Sequence, residues 1–221
     1  MYFDLIIYFL ILFAVVLIGI LRYKSLTSPF KVLVAVVFVI LLSELCARLL
    51  AYLIKNSNPT YHILCILQYI GFSIIYSNLL SGQKLKRLIL FSSIPFIILS
   101  FLNTLFFQRF LTFPSNLIML SYIIFVVFAL KLFLQMLDAP KELAIFKQSV
   151  FWFNCAILVY SIIMPVCFGV LNYLIKHQLS TDILANFIEY FTFLYYSTLG
   201  YAILIDTKAV GYSSWVNLAS I

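Results

Sequence analysis

The chain has 221 residues, of which 65% are hydrophobic and 10% charged, with a formal net charge of +7 and a mean hydropathy of +1.15. A soluble domain carries far more charge on its surface, so this composition excludes a soluble enzyme or binding domain. The basic residues are scattered over short loops, which also argues against a nucleic-acid partner.

A run of about 18 or more apolar residues is long enough to cross the hydrocarbon core of a bilayer. In chain order the sequence predicts seven such spans: 2–21, 32–54, 61–81, 88–107, 116–134, 151–175 and 183–205. The first has no basic segment before it, carries Asp4 near its start and lacks a small-residue cleavage site, so it reads as a retained helix rather than a signal peptide. The loop after it holds Arg22, Lys24 and Lys31, and the loop after the third holds Lys84, Lys86 and Arg87. The loop after the fifth holds Lys141 and Lys147, with Lys131 at its entry. The alternate loops hold only Lys55, Arg109 and Lys176. Lysine and arginine mark cytoplasmic loops, so the N-terminus is expected outside and the C-terminus inside. Expected is an all-α, polytopic domain over 1–208, with a short interfacial tail over 209–221 that contains Trp215.

The second span carries "ELCARLL", in which Glu44 and Arg48 lie one helical turn apart in an apolar setting. Ionisable groups at that depth are costly and normally face the interior with a partner. An i, i+4 spacing lets the two meet on one face. The third span brings His62 and Gln68, and the seventh brings Asn186 and Glu189, all toward the outer half. Glu44, Arg48, Gln68 and Glu189 are therefore the candidate ligand-binding residues, with His62, Tyr69, Asn186 and Tyr190 as candidate pocket lining. Two carboxylates against one guanidinium leave a formal charge of −1, which a proton or cation would balance. The plainer alternative is a self-contained buried pair that fixes helix register and binds nothing.

A fixed-period comparison finds self-similarity. "LAYLIKNSNPTYHILCILQYIGF" (50–72) matches "LNYLIKHQLSTDILANFIEYFTF" (171–193) at an offset of 121, pairing Tyr52 with Tyr173, Lys55 with Lys176, Thr60 with Thr181, Tyr69 with Tyr190 and Gln68 with Glu189. Upstream, "LTSP" (26–29) resembles "LDAP" (137–140) after a shift of about ten residues. The reading is a parallel repeat of units near 1–81 and 116–205, with the helix at 88–107 as linker. Pro95 and Pro165 fall inside spans and are expected to kink them.

Catalytic signatures are absent. Cys46, Cys65, Cys155 and Cys167 all fall within spans and read as small hydrophobes. His62 and His177 are too few for a three-histidine zinc centre. No enzyme activity, metal or cofactor is expected.

Seven spans, an outside N-terminus and a three-plus-one-plus-three repeat resemble the plan of the SWEET and PQ-loop carriers of sugars and amino acids. The resemblance is one of topology, because the Pro-Gln dipeptide is absent and Pro29 and Pro140 lie at span ends. The runs "ELCARLLAYLI" and "YHILCILQYIGF" resemble a family of uncharacterised bacterial seven-helix membrane proteins. That resemblance implies a bacterial inner-membrane location. The functional expectation is a membrane protein that binds a small polar or ionic solute in an outer-half cavity, leading to transport. The alternative is a non-transporting sensor or scaffold that signals to a cytoplasmic protein partner. Homo-oligomerisation fits either reading.

The loop charges generate a topology prediction. With the native cysteines removed, cysteines placed at Gly82 and Ser213 should resist a membrane-impermeant thiol reagent in intact cells. Labelling of both from outside would reverse the orientation.

Overall fold

The computed structural model describes residues 2–138 and 145–207. Pro140, Lys141 and the tail 209–221 lie outside the described residues. The described residues form eight α-helices: α1 (Tyr2–Leu21), α2 (Ser28–Ile54), α3 (Asn58–Leu79), α4 (Gln83–Phe91), α5 (Ser93–Phe106), α6 (Ser115–Asp138), α7 (Ser149–Lys176) and α8 (Asp182–Ile205). A short 3-10 turn, Ile145–Lys147, precedes α7. Among the described residues there is no strand. Six helical stretches are long and apolar enough to cross a membrane, with α4 and α5 counted as one. The all-helical, membrane-embedded expectation therefore stands. α8 is long enough at 24 residues but is not among the six. Glu189, Tyr190, Tyr195, Tyr196 and Tyr201 dilute its apolar character.

The fourth span is not one straight linker helix. It breaks at Ser92, between α4 and α5. Pro95 has no N–H to give to the Phe91 carbonyl, so it cannot sit inside a continuous helix without losing that bond. The break leaves Pro95 in the first turn of α5, where the missing donor costs nothing. Pro165, by contrast, lies within α7 without ending it.

Six helices close a ring in the order α1, α2, α3, α6, α7, α8 and back to α1. The α4–α5 pair lies on α3, and α5 also reaches α6. The long hairpins share bounds: α2 and α7 begin 121 positions apart, at Ser28 and Ser149. Thr27 and Gln148 take the two N-caps, so the ten-residue shift drawn from "LDAP" is not needed. Burial of matched positions nonetheless differs. Tyr69 is fully buried, stacked on Phe96 at 3.8 Å between centroids, whereas Tyr190 is 58% exposed. α3 is covered by α4 and α5, and α8 has no such cover.

Close helix approach depends on three glycines. A Cβ on Gly71 would strike the Val36 side chain, and one on Gly19 would strike Val34. A Cβ on Gly200 would come within 2.8 Å of Val15 Cγ2. Small residues let helix backbones approach, and this packing is the main attraction between helices where lipid is as apolar as the side chains. Gly71→Leu should therefore destabilise the bundle by about 1–3 kcal/mol through overpacking. Thermal unfolding in detergent checks this, and Val36→Ala should restore part of the loss.

Candidate functional site

The two ends of the bundle differ. At the end that holds Arg22, Asp206 follows α8 and is 3% exposed. Its Oδ2 accepts from the Thr27 backbone N–H at 2.8 Å and from Thr27 Oγ1 at 3.0 Å. Its Oδ1 accepts from Ser149 Oγ at 2.8 Å. One carboxylate thus sits at the N-termini of both α2 and α7, where the partial positive charge of each helix favours an anion. Thr27 does not cap α2 with its own side chain, because that hydroxyl is given to Asp206. Arg22, just past α1, donates to the Leu204 carbonyl and, at 3.2 Å, to the Asp206 carbonyl. Cations suit helix C-termini for the converse reason. Four helices are tied at one point.

Packing is dense in the same half. The buried residues of α1 are Leu12, Val15, Val16 and Gly19, and those of α8 run from Tyr195 to Ile203. In α7 they run from Phe153 to Cys167, and in α2 from Pro29 to Leu41 with Ala47 beyond. Asn154 is fully buried there, accepting from the Tyr76 hydroxyl at 3.0 Å and donating to the Ala129 carbonyl at 2.9 Å.

Toward the Lys55 end those four helices lose their buried side chains. Nothing in α8 before Tyr195 is buried, and nothing in α7 after Cys167. A Cβ on Gly169 would meet nothing within 4 Å. Only α3, α5 and α6 are closed here. His62, 4% exposed, donates from Nε2 to the Thr112 carbonyl at 2.8 Å, with Thr104 Oγ1 3.2 Å from Nδ1. Asn56 and Asn58 both donate to the Leu111 carbonyl at 2.9 Å. Asn103, Gln108, Ser115 and Asn116 bond among themselves. His62 is therefore a clamp for the 107–114 loop.

Glu44 lies where dense packing gives way. It is half-buried, with Tyr8 of α1 and Tyr61 of α3 among its electrostatic neighbours. Its electrostatic neighbours also include Tyr160 and Tyr196. Tyr8 lies 5.9 Å from Tyr196 and stacks on Phe193 at 6.2 Å, and Tyr160 stacks on Tyr195 at 4.0 Å. Tyr122 packs edge-on against Tyr160 at 5.9 Å, Tyr160 donates to Thr192 Oγ1 at 3.4 Å, and Thr192 donates to the Ile188 carbonyl at 2.7 Å. Glu44 is therefore set against a ladder of tyrosines contributed by α1, α3, α6, α7 and α8.

Arg48 feels the charge of Glu44 and sits near Tyr61, yet it is exposed. No ion pair within 4.0 Å forms between Arg48 and either Glu44 or Glu189. The structure thus does not form the direct pair expected from the spacing. Gln68 is half-buried with no hydrogen bond, Glu189 is half-buried with no ion pair to Arg48, and Asn186 and Tyr190 are exposed on the first turns of α8. Tyr69 faces the α4–α5 break and donates to Ser92 Oγ at 2.9 Å. Of the four expected binding residues, Glu44 and Arg48 share α2 four positions apart, without an ion pair within 4.0 Å, and Gln68 and Glu189 lie on other helices. Among the described residues, no group of three metal-ligating side chains is found.

The chain matches no protein-family model, no curated protein and no solved structure.

The Asp206 knot is a measurable contribution. Asp206→Ala leaves the Thr27 and Ser149 donors buried and unpaired, and should cost about 3 kcal/mol or more. Asp206→Asn keeps the shape and one acceptor, and should cost less. Unfolding midpoints of the two variants in detergent test the order.

Proposed function

We propose that the protein is a membrane transporter for a small polar or ionic solute, which enters from the Lys55 end and binds at Glu44. The end-to-end asymmetry carries this reading: one end is tied by Asp206, and four helices lose their packing toward the other. The positive-inside bias assigns the open end to the outside. An intramembrane carboxylate is a functional candidate by default, and this one keeps some exposure at the boundary of the packed half. Glycine and proline in α7, at Gly169 and Pro165, lie on the segment that would move when the open end closes. We further infer a seventh span, α8, and a bacterial inner-membrane location.

Cysteine accessibility tests this. In a cysteine-free background, Glu44→Cys and Gly169→Cys should react with a water-soluble thiol reagent from the outside. Leu199→Cys, in the packed half, should not. Absence of reaction at position 44 from either side would mean the carboxylate is sealed, and the transport reading would fall.

A further inference from the structure

Away from Glu44, the seam between α1 and α8 carries a groove of about 260 Å³. Its floor is Val15 of α1 and Gly200 of α8, both buried, and its exposed rim includes Ala14, Tyr201 and Leu204. From Ser197 to Leu204 it runs about 10 Å at helical rise. None of its lining residues is charged. It opens on the outside of the six-helix ring, so its occupant is a lipid or another membrane-embedded chain.

The mouth of the groove at Leu204 is basic. Arg22, half-buried, donates to the Leu204 carbonyl and, at 3.2 Å, to the Asp206 carbonyl. Those bonds use two of the five guanidinium N–H groups. The Asp206 carboxylate is taken by Thr27 and Ser149, and among the described residues no ion pair within 4.0 Å neutralises Arg22. Exposed Lys24 follows in the same loop, and Lys31 lies 5.2 Å from the centre of the Tyr23 ring. Aromatic side chains mark this level. Tyr201, on the groove wall, meets Trp152 of α7 edge-on at 5.3 Å. Tryptophan and tyrosine collect at the depth of the lipid headgroups. The groove therefore descends from headgroup depth into the hydrocarbon, with unused guanidinium donors at its mouth.

We propose that the α1–α8 seam binds an anionic phospholipid, with one acyl chain in the groove and the phosphate on Arg22. An apolar chain matches the lining, and a planar guanidinium suits phosphate oxygens. Lys24 and Lys31 add to the attraction for an anionic headgroup. A second copy of this chain fits the seam less well. Two copies in one membrane share an orientation, so a two-fold contact along the seam would set Arg22 and Lys24 beside their equals, and like charges repel.

The test uses the full chain with Trp215→Phe, which leaves Trp152 as the sole tryptophan. It is held in an uncharged detergent and supplied with phosphatidylglycerol or, at equal mole fraction, phosphatidylcholine, each with brominated acyl chains. Bromine quenches a nearby indole, so loss of Trp152 emission reports a chain seated beside Tyr201. Phosphatidylglycerol should show an apparent affinity higher by about fivefold or more. Ala14→Phe, at an exposed position, fills the groove and should abolish that preference. Arg22→Gln keeps an amide donor for the two carbonyls but loses the charge, and should bring the two lipids close to equal. Unfolding midpoints in detergent establish that each variant is folded, and Ala14→Phe decides alone if Arg22→Gln is not. Equal quenching by the two lipids in the parent chain overturns the proposal, as does an unchanged preference in either folded variant. A dimer in detergent that Ala14→Phe dissociates also overturns it, and assigns the seam to a second copy.

Discussion

One carboxylate shared between two helix starts organises this bundle. Asp206 lies 179 residues from Thr27 and 57 from Ser149, and it bonds to both. Helix N-termini leave backbone donors without partners, and a buried end needs them met. Here a single side chain serves two helices and, through the adjoining backbone and Arg22, binds the ends of two more. The ring α1-α2-α3-α6-α7-α8 is closed in space by α1 against α8, and the knot lies where those two helices end. Close approach in this half follows from the same constraint. Gly19 against Val34 and Gly200 against Val15 lie within a few residues of the tied ends. The groove lined by Ile11, Val15, Gly200 and Leu204, about 260 Å³, runs along the α1–α8 seam and is almost wholly apolar, as a lipid-facing seam would be.

No carboxylate shared between two helix starts is found among the described residues at the opposite ends of α2, α7 and α8. Polar chemistry there is gathered into the α3–α5–α6 corner, where His62, the asparagines and Gln108 fasten one loop. The consequence is a gradient along the bundle axis, from a packed half to a loosely packed one. Glu44 stands at its boundary. A carboxylate placed deeper would need full compensation, and one placed higher would be ordinary surface. Tyrosine fits such a boundary because its ring packs with the apolar half while its hydroxyl supplies a donor. Tyr160 does both, its ring stacked on Tyr195 and its hydroxyl bonded to Thr192.

Much of the architecture was legible in the sequence because apolar run length and proline are local signals. Span positions agree with the helices to within a few residues, and the break near Pro95 follows from its missing N–H. Glu44 and Arg48 stood out because charge is rare in this chain. What was not legible is what depends on distance. Asp206 reads as an ordinary residue after a helix, and only the fold brings Thr27 and Ser149 to it. Tyrosines number 15, so composition could not say which of them turn toward Glu44. The match of Gln68 with Glu189 is one of sequence and not of surroundings, for a related reason. Similar residues in similar hairpins meet different neighbours, because α3 is covered by α4 and α5 while α8 packs mainly on α1 and α7. The same asymmetry separates Tyr69 from Tyr190, and it is why matched bounds do not make matched sites.

The two ends are also mechanically related. α2 runs from the Asp206 knot at Ser28 to Glu44 and Arg48, a rise of about 24 Å to the carboxylate at helical geometry. A helix of this length moves as a nearly rigid rod, so a change of tilt that closes the loose half about Glu44 must be absorbed at the knot. The bonds from Asp206 to Thr27 and Ser149 are where α2 and α7 are held against that tilt. On the proposed transport reading, a preference of the solute for a closed arrangement of the loose half acts on those bonds, and their strength acts back on the solute's affinity to the same extent. Weak bonds would leave the knot no hold on the site, and unbreakable ones would fix the bundle in one arrangement. A small set of hydrogen bonds to one charged group, each worth about 1.5–3 kcal/mol, lies in the range where a ligand of modest affinity can shift the balance.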